Sequence, residues 1–453
     1  MRKVIIEMEA SFTTLGFFLL PAILGATILC TAAGLIGSLL FVTRRSLMGE
    51  VLTHASYPGI LFGMLLTKTD VSKHGLSLSV FIGGLIFSIC AVFLIEWLEK
   101  KIKISSDAAH GFILTTFFGC GILLSGYAQA SCPSLYGSVK SYLYGQSLTL
   151  TIHDVIISFV LLMLVISFLV GFYKELLIFC FDAQQACLIG LPTIFMKSAM
   201  FVLIALISNM GIKSMGVLLM SAVFVASPLA ARQFTVRFHL FFILSGVIGG
   251  VAAFIGNYLS FTLPYTCTIF KGAILPPGPS VVLLLGLIAT VSLLFSPKKG
   301  LFIRYLRKIG FKIRSKEENF LKIIWKLDES GQSLFDVKKL KKELFFLTNS
   351  MYFWKWKLWL SYLCFKKLLK SNKQGLYGLD SKGLKKVKHI IRLHRLWELY
   401  LSKSLSWDRS EVHKNAEEIE HVLTDEMEEE LTKMLNNPYV DPHNKIIPPG
   451  QLL

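Results

Sequence analysis

The chain has 453 residues, a formal net charge of +18, 53% hydrophobic residues and a mean hydropathy of +0.60. Such a composition excludes a single soluble domain of this length and predicts membrane spans. The charge is unevenly distributed, because residues 1–297 hold 16 basic and 10 acidic residues whereas residues 298–453 hold 31 and 19. The chain therefore divides into an apolar, sparsely charged part and a charged, soluble part.

Long uncharged runs define the first part. Five of them have about 20 or more residues without Asp, Glu, Lys or Arg, enough to cross a hydrocarbon core of about 30 Å. They are residues 11–43, 75–95, 111–139, 155–173 and 272–297. Of the remaining candidates, 51–66 is short, 238–270 has a polar tail, and 198–231 is interrupted at Gly211, Lys213 and Gly216. We expect an all-α polytopic membrane domain over residues 1–297 with about eight or nine transmembrane helices.

Basic clusters recur after alternate spans. They are Arg44 with Arg45, the lysines of 100–103, Arg232 with Arg237, and the lysines of 298–299. Short loops rich in Lys and Arg stay in the cytoplasm, so the clusters predict a multi-pass protein of the bacterial inner membrane with a cytoplasmic C-terminal part. The first apolar run has no small-residue cleavage site and leads into further spans, so no removable signal peptide is expected.

Two ionisable residues stand in an otherwise apolar segment. Glu50 and His54 are four residues apart, so a helix presents them on one face, one turn apart. A carboxylate and an imidazole suit a divalent transition ion, and such groups inside a span face a cavity or pathway. The alternative is that Glu50 lies among headgroups and His54 makes an interhelical hydrogen bond. Asp107 and His110 raise the same question, but there an acidic residue at a helix N-terminus is the favoured interpretation.

A family resemblance rests on five segments that occur in order across roughly residues 12–296. They are 46–59 (SLMGEVLTHASYPG), 107–111 (DAAHG), 135–150 (LYGSVKSYLYGQSLTL), 181–190 (FDAQQACLIG) and 215–232 (MGVLLMSAVFVASPLAAR). Together they resemble the ABC-transporter permeases for manganese, zinc and iron. The resemblance implies metal import, with Glu50 and His54 as candidates for the translocation path.

The same resemblance implies partners. A cytosolic loop of such permeases docks into an ATPase subunit, and Asp182, Gln184 and Gly190 occupy that loop here; the alternative is an ordinary interfacial loop. The sequence has no G-x-x-x-x-G-K-[ST] phosphate loop, so the ATPase is expected to be a separate polypeptide and no catalytic residue is assigned. The family also implies a homodimer or a second permease subunit, and an extracytoplasmic metal-binding protein that delivers the ion.

The soluble part begins with a basic connector over 298–315. Residues 316–385 then follow the order helix, helix, helix and hairpin, which is typical of a winged helix-turn-helix DNA-binding domain. Residues 298–416 carry 29 basic and 10 acidic residues, a surface suited either to DNA phosphates or to anionic lipid. The candidate DNA contacts are Lys355, Lys357, Lys366, Lys367 and Lys373.

The last segment, 386–453, combines imidazoles and carboxylates at helical spacing. His394 and Glu398 are four residues apart, and a following stretch places His413, Glu417, Glu420 and His421 on one face. Such groups can hold one or two first-row ions when the imidazoles are neutral and the carboxylates ionised. A solvated helix face with charge pairs is the alternative.

The run from His394 to Pro449 resembles the metal-binding and dimerisation domain of the diphtheria toxin repressor family. The resemblance makes Glu417, Glu420 and His421 primary-site ligands and His394, Glu398 and His413 an accompanying site. Where that family has a ligand in its first DNA-binding helix, this chain has Asn319, followed by Lys322. Oxygen ligation at Glu417 favours Fe²⁺ or Mn²⁺, with Zn²⁺ as a further candidate, both as transported ion and as co-repressor.

The sequence thus predicts a metal permease subunit fused to a metal-dependent repressor that binds operator DNA. A repressor tethered to a membrane can search little DNA, so we hypothesise that proteolysis of the connector releases it to control the transporter operon. The alternative is a tethered sensor that gates transport without binding DNA.

Overall fold

The computed structural model describes residues 2–67, 78–131, 150–266, 275–297, 300–329, 353–372, 376–404, 424–443 and 445–450, with positions 139, 142, 143, 145 and 147. The chain forms two compact units, Met1–Arg304 and Tyr305–Leu453. Both are mainly helical in their described parts.

The N-terminal unit contains a series of apolar helices. They are α1 (Arg2–Val42), α2 (Leu47–Thr67), α3 (Leu78–Trp97, extended by a π-helical turn at Leu98–Ile102), α4 (Ser106–Ser131), α5 (Ile152–Gly171), α6 (Tyr173–Phe181), α7 (Ala183–Leu188), α8 (Thr193–Met215), α9 (Val217–Phe234), α10 (Phe238–Thr266) and α11 (Pro277–Phe295). Among the described residues, eight of these helices are long and apolar enough to cross a membrane: α1, α3, α4, α5, α8, α9, α10 and α11.

Among the described residues, α2 is the one long helix of the N-terminal unit that does not belong to this set of eight. Its 21 residues span about 31 Å, which is enough for a crossing, but they include Glu50, His54 and several small polar residues. It packs against α3, α4, α8 and α9, and every residue from 51 to 61 is buried. The prediction of an all-α polytopic region is confirmed, and α2 accounts for the difference between eight spans and nine.

Small residues allow α2 to approach its neighbour closely. A Cβ atom added to Gly59 would collide with the backbone oxygen of Gly83 on α3, and one added to Gly83 would collide with that of Gly59, so neither position has room for a side chain. Membrane helices commonly pack through small residues in this way. Lipid tails are as apolar as large side chains, so helices in a membrane associate mainly through close van der Waals packing.

The segment 198–231 is interrupted at one residue rather than at the three expected positions. Gly216 separates α8 from α9 and has a φ of +86°, a conformation that favours glycine. Gly211 and Lys213 stay within α8. Gly211 faces Met220 of α9, which occupies the space a side chain would need, and Lys213 forms a buried ion pair described below.

Several basic side chains of the N-terminal unit lie at one end of the helix bundle. Arg45, Phe181 and Lys197 line one crevice there, and Lys197 pairs with Glu96 on α3 at 2.6 Å. The rings of Phe181 and Phe238 are 5.0 Å apart, and Arg232 lies over Phe238. The hydroxyl of Ser296, just after α11, donates a hydrogen bond to the backbone oxygen of Gln233. The connections after α1, α3, α6, α9 and α11 therefore share one end.

The C-terminal unit is built on four helices and a hairpin in its described part. These are α12 (Leu301–Glu329), which begins just before the unit boundary, α13 (Phe353–Phe365), β1 (Leu369–Ser371), β2 (Tyr377–Leu379), α14 (Ser381–Ser404) and α15 (Asp425–Met434). The strands pair antiparallel with Leu369 opposite Leu379. The basic connector expected over 298–315 is helical from Leu301 onward and continues without a break into the helix expected from Glu317.

An apolar core joins α12, α13, the hairpin and α14. Phe320, Leu321 and Ile324 of α12 contact the buried side chains of the other three elements, which are Leu360, Leu363, Leu368, Leu369, Val387 and Ile391. The predicted helix over 333–347 lies outside the described residues. A helix, a second helix, a hairpin and a third long helix thus enclose one core, and the winged helix-turn-helix assignment remains a prediction.

Candidate functional site

Helix α2 carries both predicted translocation residues and buries one of them. His54 is buried, with 6% of its surface exposed, and its ring meets Phe118 of α4 edge-on at 4.8 Å. Glu50, one turn earlier, is partly exposed. The two residues lie on a helix that faces protein on most sides, as an ion-conducting helix requires.

The imidazole of His54 has an atom that no protein group satisfies. Its Nδ1 is buried and has no hydrogen-bond partner among the described residues. A buried polar atom without a hydrogen bond costs free energy, so such an atom calls for an explanation. Binding of a metal ion would provide one. A lone pair of a neutral imidazole is the ligand that first-row transition ions favour.

Hydroxyl and amide groups surround the same stretch of α2. Thr53 donates to Ser208 of α8 at 3.2 Å, and Ser56 and Ser88 of α3 share a hydrogen bond at 2.6 Å. Asn209 of α8 donates to a backbone oxygen of α3 at 2.6 Å. The structure therefore brings polar groups of α2, α3 and α8 together within the bundle, although the sequence offered no signal that identified them.

A buried ion pair links α8 to the beginning of α5. Lys213 Nζ lies 2.7 Å from Asp154 Oδ2, and the two residues are 6% and 1% exposed. Asp154 also accepts hydrogen bonds from the backbone N–H and the hydroxyl of Thr151. Sequence reasoning missed this pair, because its members are 59 residues apart and each alone looks like a helix-terminal charge.

His110 and Asp107 have different environments at the N-terminus of α4. Asp107 is exposed in the first turn, as the favoured interpretation of this segment expects. His110 is 3% exposed; its Nδ1 lies 2.5 Å from the backbone oxygen of Ser106 and 3.9 Å from Glu99 Oε1. Within the described residues there is no group of three or more His, Cys, Asp or Glu side chains that could hold a metal ion.

The predicted docking loop has a defined shape around the short helix α7. Asp182 precedes α7 and accepts hydrogen bonds from the backbone N–H groups of Gln184 and Gln185 at 2.9 and 3.0 Å. Gly190 follows the helix with a φ of +86°. Between them Leu188 is 88% exposed and Ile189 61% exposed. Such exposed apolar side chains at the basic end of the unit are typical of a protein-binding surface.

In the C-terminal unit, α14 buries two of the predicted metal ligands. His394 Nε2 lies 3.1 Å from Glu398 Oε1, and the residues are 7% and 2% exposed. The other four predicted ligands, His413, Glu417, Glu420 and His421, lie outside the described residues. The structure thus brings together the one pair of predicted ligands that falls within its described part.

The C-terminal tail packs on the same helix. Arg392 of α14 donates to Glu428 of α15 at 2.6 Å and to the backbone oxygen of Pro448 at 2.8 Å. His389 lies 3.2 Å from Glu428. The hydrogen bond from His389, together with that from Arg392, holds the pKa of the Glu428 carboxyl below its usual range despite partial burial. These bonds fix α14, and with it the His394–Glu398 pair, against α15 and the tail.

The predicted DNA contacts are only partly described. Lys366 and Lys367 follow α13; Lys366 lies over the ring of Tyr362 at 4.8 Å, and Lys367 is exposed with a φ of +58°. Lys355 and Lys357 belong to α13, but their side chains, like all of Lys373, lie outside the described residues. Trp359 of the same helix packs against the apolar core.

A buried carboxylate on α12 engages Lys366. Glu317 accepts hydrogen bonds from Lys386 at 2.6 Å and from Lys366 at 2.9 Å, and it is 2% exposed. Burial alone would raise the pKa of this carboxyl, but the two lysines together hold the pKa below its usual range. Asn319, at the position of a ligand in the resembling family, is partly buried two residues further on, and so is Lys322.

Two family models match the chain. Residues 17–296 match the ABC 3 transport family, and residues 380–449 match the metal binding and dimerisation domain of iron dependent repressors. A probable metal transport system membrane protein of Chlamydia trachomatis is 37% identical over 95% of this chain and 96% of its own length.

More distant proteins extend the comparison. The manganese transport system membrane protein MntC of Bacillus subtilis is 29% identical over 83% of this chain and 82% of its own length. The solved structure of PsaBC from Streptococcus pneumoniae, in complex with a Fab, matches 67% of this chain and 99% of that chain with a TM-score of 0.55 and 26% identity.

We predict that Glu317→Gln destabilises the C-terminal unit at pH 7 by about 1–3 kcal/mol, the scale of hydrogen bonds to a charged group. A group whose pKa is depressed by folding stabilises the protein above its unfolded pKa, and this contribution is lost as the pH falls through the folded value. The difference from wild type should therefore shrink below about pH 4.

Thermal unfolding of the full chain in detergent, followed by near-ultraviolet circular dichroism, measures this difference. Glu429→Gln, at an exposed position of α15, is the matched control and should have no effect. An equal difference between Glu317→Gln and wild type at pH 7 and at pH 3 would contradict the role assigned to the two lysines.

Proposed function

The chain belongs to the ABC 3 transport family and carries a repressor-type metal-binding domain at its C-terminus, and from this premise we propose an importer with its own regulator. It is a multi-pass metal transport permease rather than an enzyme. In the proposal it is the membrane-spanning subunit of an ATP-driven importer of divalent metal ions, and its C-terminal half is a metal-dependent DNA-binding repressor.

One observation carries the proposal: the same chain combines a buried, unsatisfied imidazole within a permease fold and a buried His–Glu pair within a repressor-type metal domain. His54 offers a nitrogen to a passing ion, and His394 with Glu398 offers a nitrogen and an oxygen to a resident one. Both donor sets suit divalent first-row ions.

The membrane orientation follows from counting α2 as a crossing. With nine crossings, the connections after α1, α3, α6, α9 and α11 fall on one side, and this is the end of the bundle where several basic side chains lie. With α2 omitted, Arg45 and the lysines of 100–103 would fall on opposite sides. Because basic loops stay inside, that end and the C-terminal unit are assigned to the cytoplasm of a bacterial cell.

The assigned cytoplasmic end offers a surface for the ATPase. Asp182 and Gly190 fix the ends of α7, and Leu188 and Ile189 project between them. The sequence has no phosphate loop, so a separate ATPase subunit supplies the energy. A second copy of the chain, or a second permease, completes the pore, and an extracytoplasmic metal-binding protein delivers the ion.

The regulator responds to the imported ion. Fe²⁺ or Mn²⁺, with Zn²⁺ as a further candidate, loads the site that includes His394 and Glu398 together with His413, Glu417, Glu420 and His421. Loading favours dimerisation and operator binding through the lysines around α13 and the hairpin. Glu317 already engages Lys366, so the exposed Lys367 is the better candidate for a phosphate contact. Proteolysis of the connector releases the regulator to control the transporter operon.

We predict that His54→Ala lowers metal uptake by about ten- to hundredfold, the scale typical for loss of a group that supports a metal site. Glu50→Gln should lower uptake in the same direction. Uptake of ⁵⁴Mn²⁺ or ⁵⁵Fe²⁺ into vesicles containing the chain with its ATPase measures both effects. His153→Ala, an exposed histidine of α5, is the control and should transport normally. Normal uptake by both His54→Ala and Glu50→Gln would exclude α2 from the ion path.

We further predict that the chain binds DNA of its own promoter only when metal is present, and that binding weakens as salt increases. Electrophoretic mobility shifts with Fe²⁺, Mn²⁺ and Zn²⁺ in parallel measure this. His394→Ala should weaken binding at least about tenfold, whereas His443→Ala, exposed near the C-terminus, should not. Loss of transport in His394→Ala without any metal-dependent DNA binding would overturn the repressor proposal and favour a tethered sensor that gates transport.

A further inference from the structure

The first four turns of α12 carry an unusual charge pattern. Residues 301–316 (LFIRYLRKIGFKIRSK) contain six basic residues and no acidic residue, and the first carboxylate of the helix is Glu317. Arg314 pairs with Glu318 at 2.8 Å, and among the described residues the other basic side chains of this stretch form no ion pair with a carboxylate. The segment is thus a helix with a dense positive charge.

Most of the charges and most of the apolar side chains lie on opposite faces. With about 100° between successive residues, one face carries Phe302, Leu306, Ile309 and Ile313, and the other carries the basic residues Arg304, Arg307, Lys308 and Arg314. Phe311 lies on the basic face, and Lys312 lies beside the apolar face. The apolar face is uncovered over most of its length: Phe302, Leu306 and Ile313 are 49%, 50% and 38% exposed, and Tyr305 at its edge is 62% exposed. A soluble helix would normally bury such a face.

The helix begins beside the end of a membrane span. Helix α11 ends at Phe295, and the N–H of Gly300 donates to the backbone oxygen of Ser296 at 2.9 Å. A side chain on Gly300 would collide with that oxygen, so these two residues approach each other closely. The rings of Phe302 and Phe295 are 5.8 Å apart, and Phe295, the last residue of α11, is itself 58% exposed. Because α11 is long and apolar enough to cross a membrane, the apolar face of α12 starts beside the end of a candidate span.

These features together favour a membrane interface as the partner of the exposed apolar face of α12. An amphipathic helix with bulky apolar side chains on one side and Lys and Arg on the other binds in the plane of a membrane interface, and more strongly when the lipid is anionic. DNA would match the positive charge but would leave Phe302, Leu306 and Ile313 uncovered. The boundary between lipid headgroups and acyl chains would cover them. It would also cover Phe295, whose ring contacts Phe302.

We propose that residues 301–314 form an interfacial helix that binds anionic lipid headgroups and anchors the connection between the two units at the bilayer surface. The basic side chains contact lipid phosphates, while the apolar side chains enter the boundary between headgroups and acyl chains. This proposal rests on the membrane location of the chain and does not depend on DNA binding or on the metal.

Amide hydrogen exchange of the full chain in lipid nanodiscs tests the proposal. Exchange over residues 301–314 should be about tenfold slower or more in discs containing phosphatidylglycerol than in discs of phosphatidylcholine alone, because several cations near an anionic leaflet act together. The triple substitution Arg304→Gln, Arg307→Gln and Lys308→Gln should remove this difference, since glutamine keeps the helix but not the charge. Phe302→Gln with Leu306→Gln should reduce protection in both kinds of disc.

The matched control removes the same charge elsewhere on the C-terminal unit. Lys326→Gln, Lys382→Gln and Lys385→Gln, all at exposed positions, should leave the lipid-dependent protection intact. Unchanged exchange in α11 and α14 reports that each variant is folded. Equal exchange in the two kinds of disc would overturn the proposal, and so would protection that requires promoter DNA instead of anionic lipid.

Discussion

A bilayer accepts ionisable side chains only where other protein groups enclose them, and helix α2 shows how this chain satisfies that constraint. Glu50 and His54 would make α2 a poor membrane span by itself. The helix is instead packed against α3, α4, α8 and α9, which are four of the eight apolar helices long enough to cross a membrane. The polar helix can occupy the interior because glycines such as Gly59 and Gly83 bring its neighbours within close backbone contact. The same arrangement leaves the buried Nδ1 of His54 without a hydrogen-bond partner among the described residues.

The carboxylates in the interior of the C-terminal unit differ in their hydrogen-bond partners. Glu317 and Glu428 each accept hydrogen bonds from two basic side chains, so their charges are compensated and they hold elements together. Glu398 lies 3.1 Å from the imidazole of His394. An imidazole can release its proton and turn its nitrogen to a metal ion, whereas lysine and arginine cannot ligate while protonated. The pair of His394 with Glu398 therefore includes a side chain that can become a metal ligand, whereas the two lysines on Glu317 cannot ligate while protonated.

Much of this organisation could be predicted from sequence, because apolar runs, basic loops and four-residue spacings are local patterns. The division into an apolar and a charged part, the helical membrane region and the pairing of His394 with Glu398 all depend on such patterns. Contacts between distant segments could not be predicted in this way. The Lys213–Asp154 pair and the hydroxyls around Thr53 depend on which helices become neighbours.

Local structure could not be predicted where one segment fitted two sequence patterns. Three residues of 198–231 resembled interruptions, but only Gly216 adopts a left-handed backbone; Gly211 and Lys213 were explained by what packs against them. The basic connector resembled a linker because of its charge, whereas its apolar residues at helical spacing place it within α12.

The central claim is that one chain holds a metal sensor that is separate from its metal path. Hydrogen–deuterium exchange of the full chain in nanodiscs, with and without Mn²⁺, tests it most directly. The account predicts that Mn²⁺ slows exchange around His394 and Glu398, that His54→Ala keeps this protection, and that His394→Ala loses it. Absence of metal-dependent protection in the C-terminal unit, or its disappearance in His54→Ala, would contradict the account.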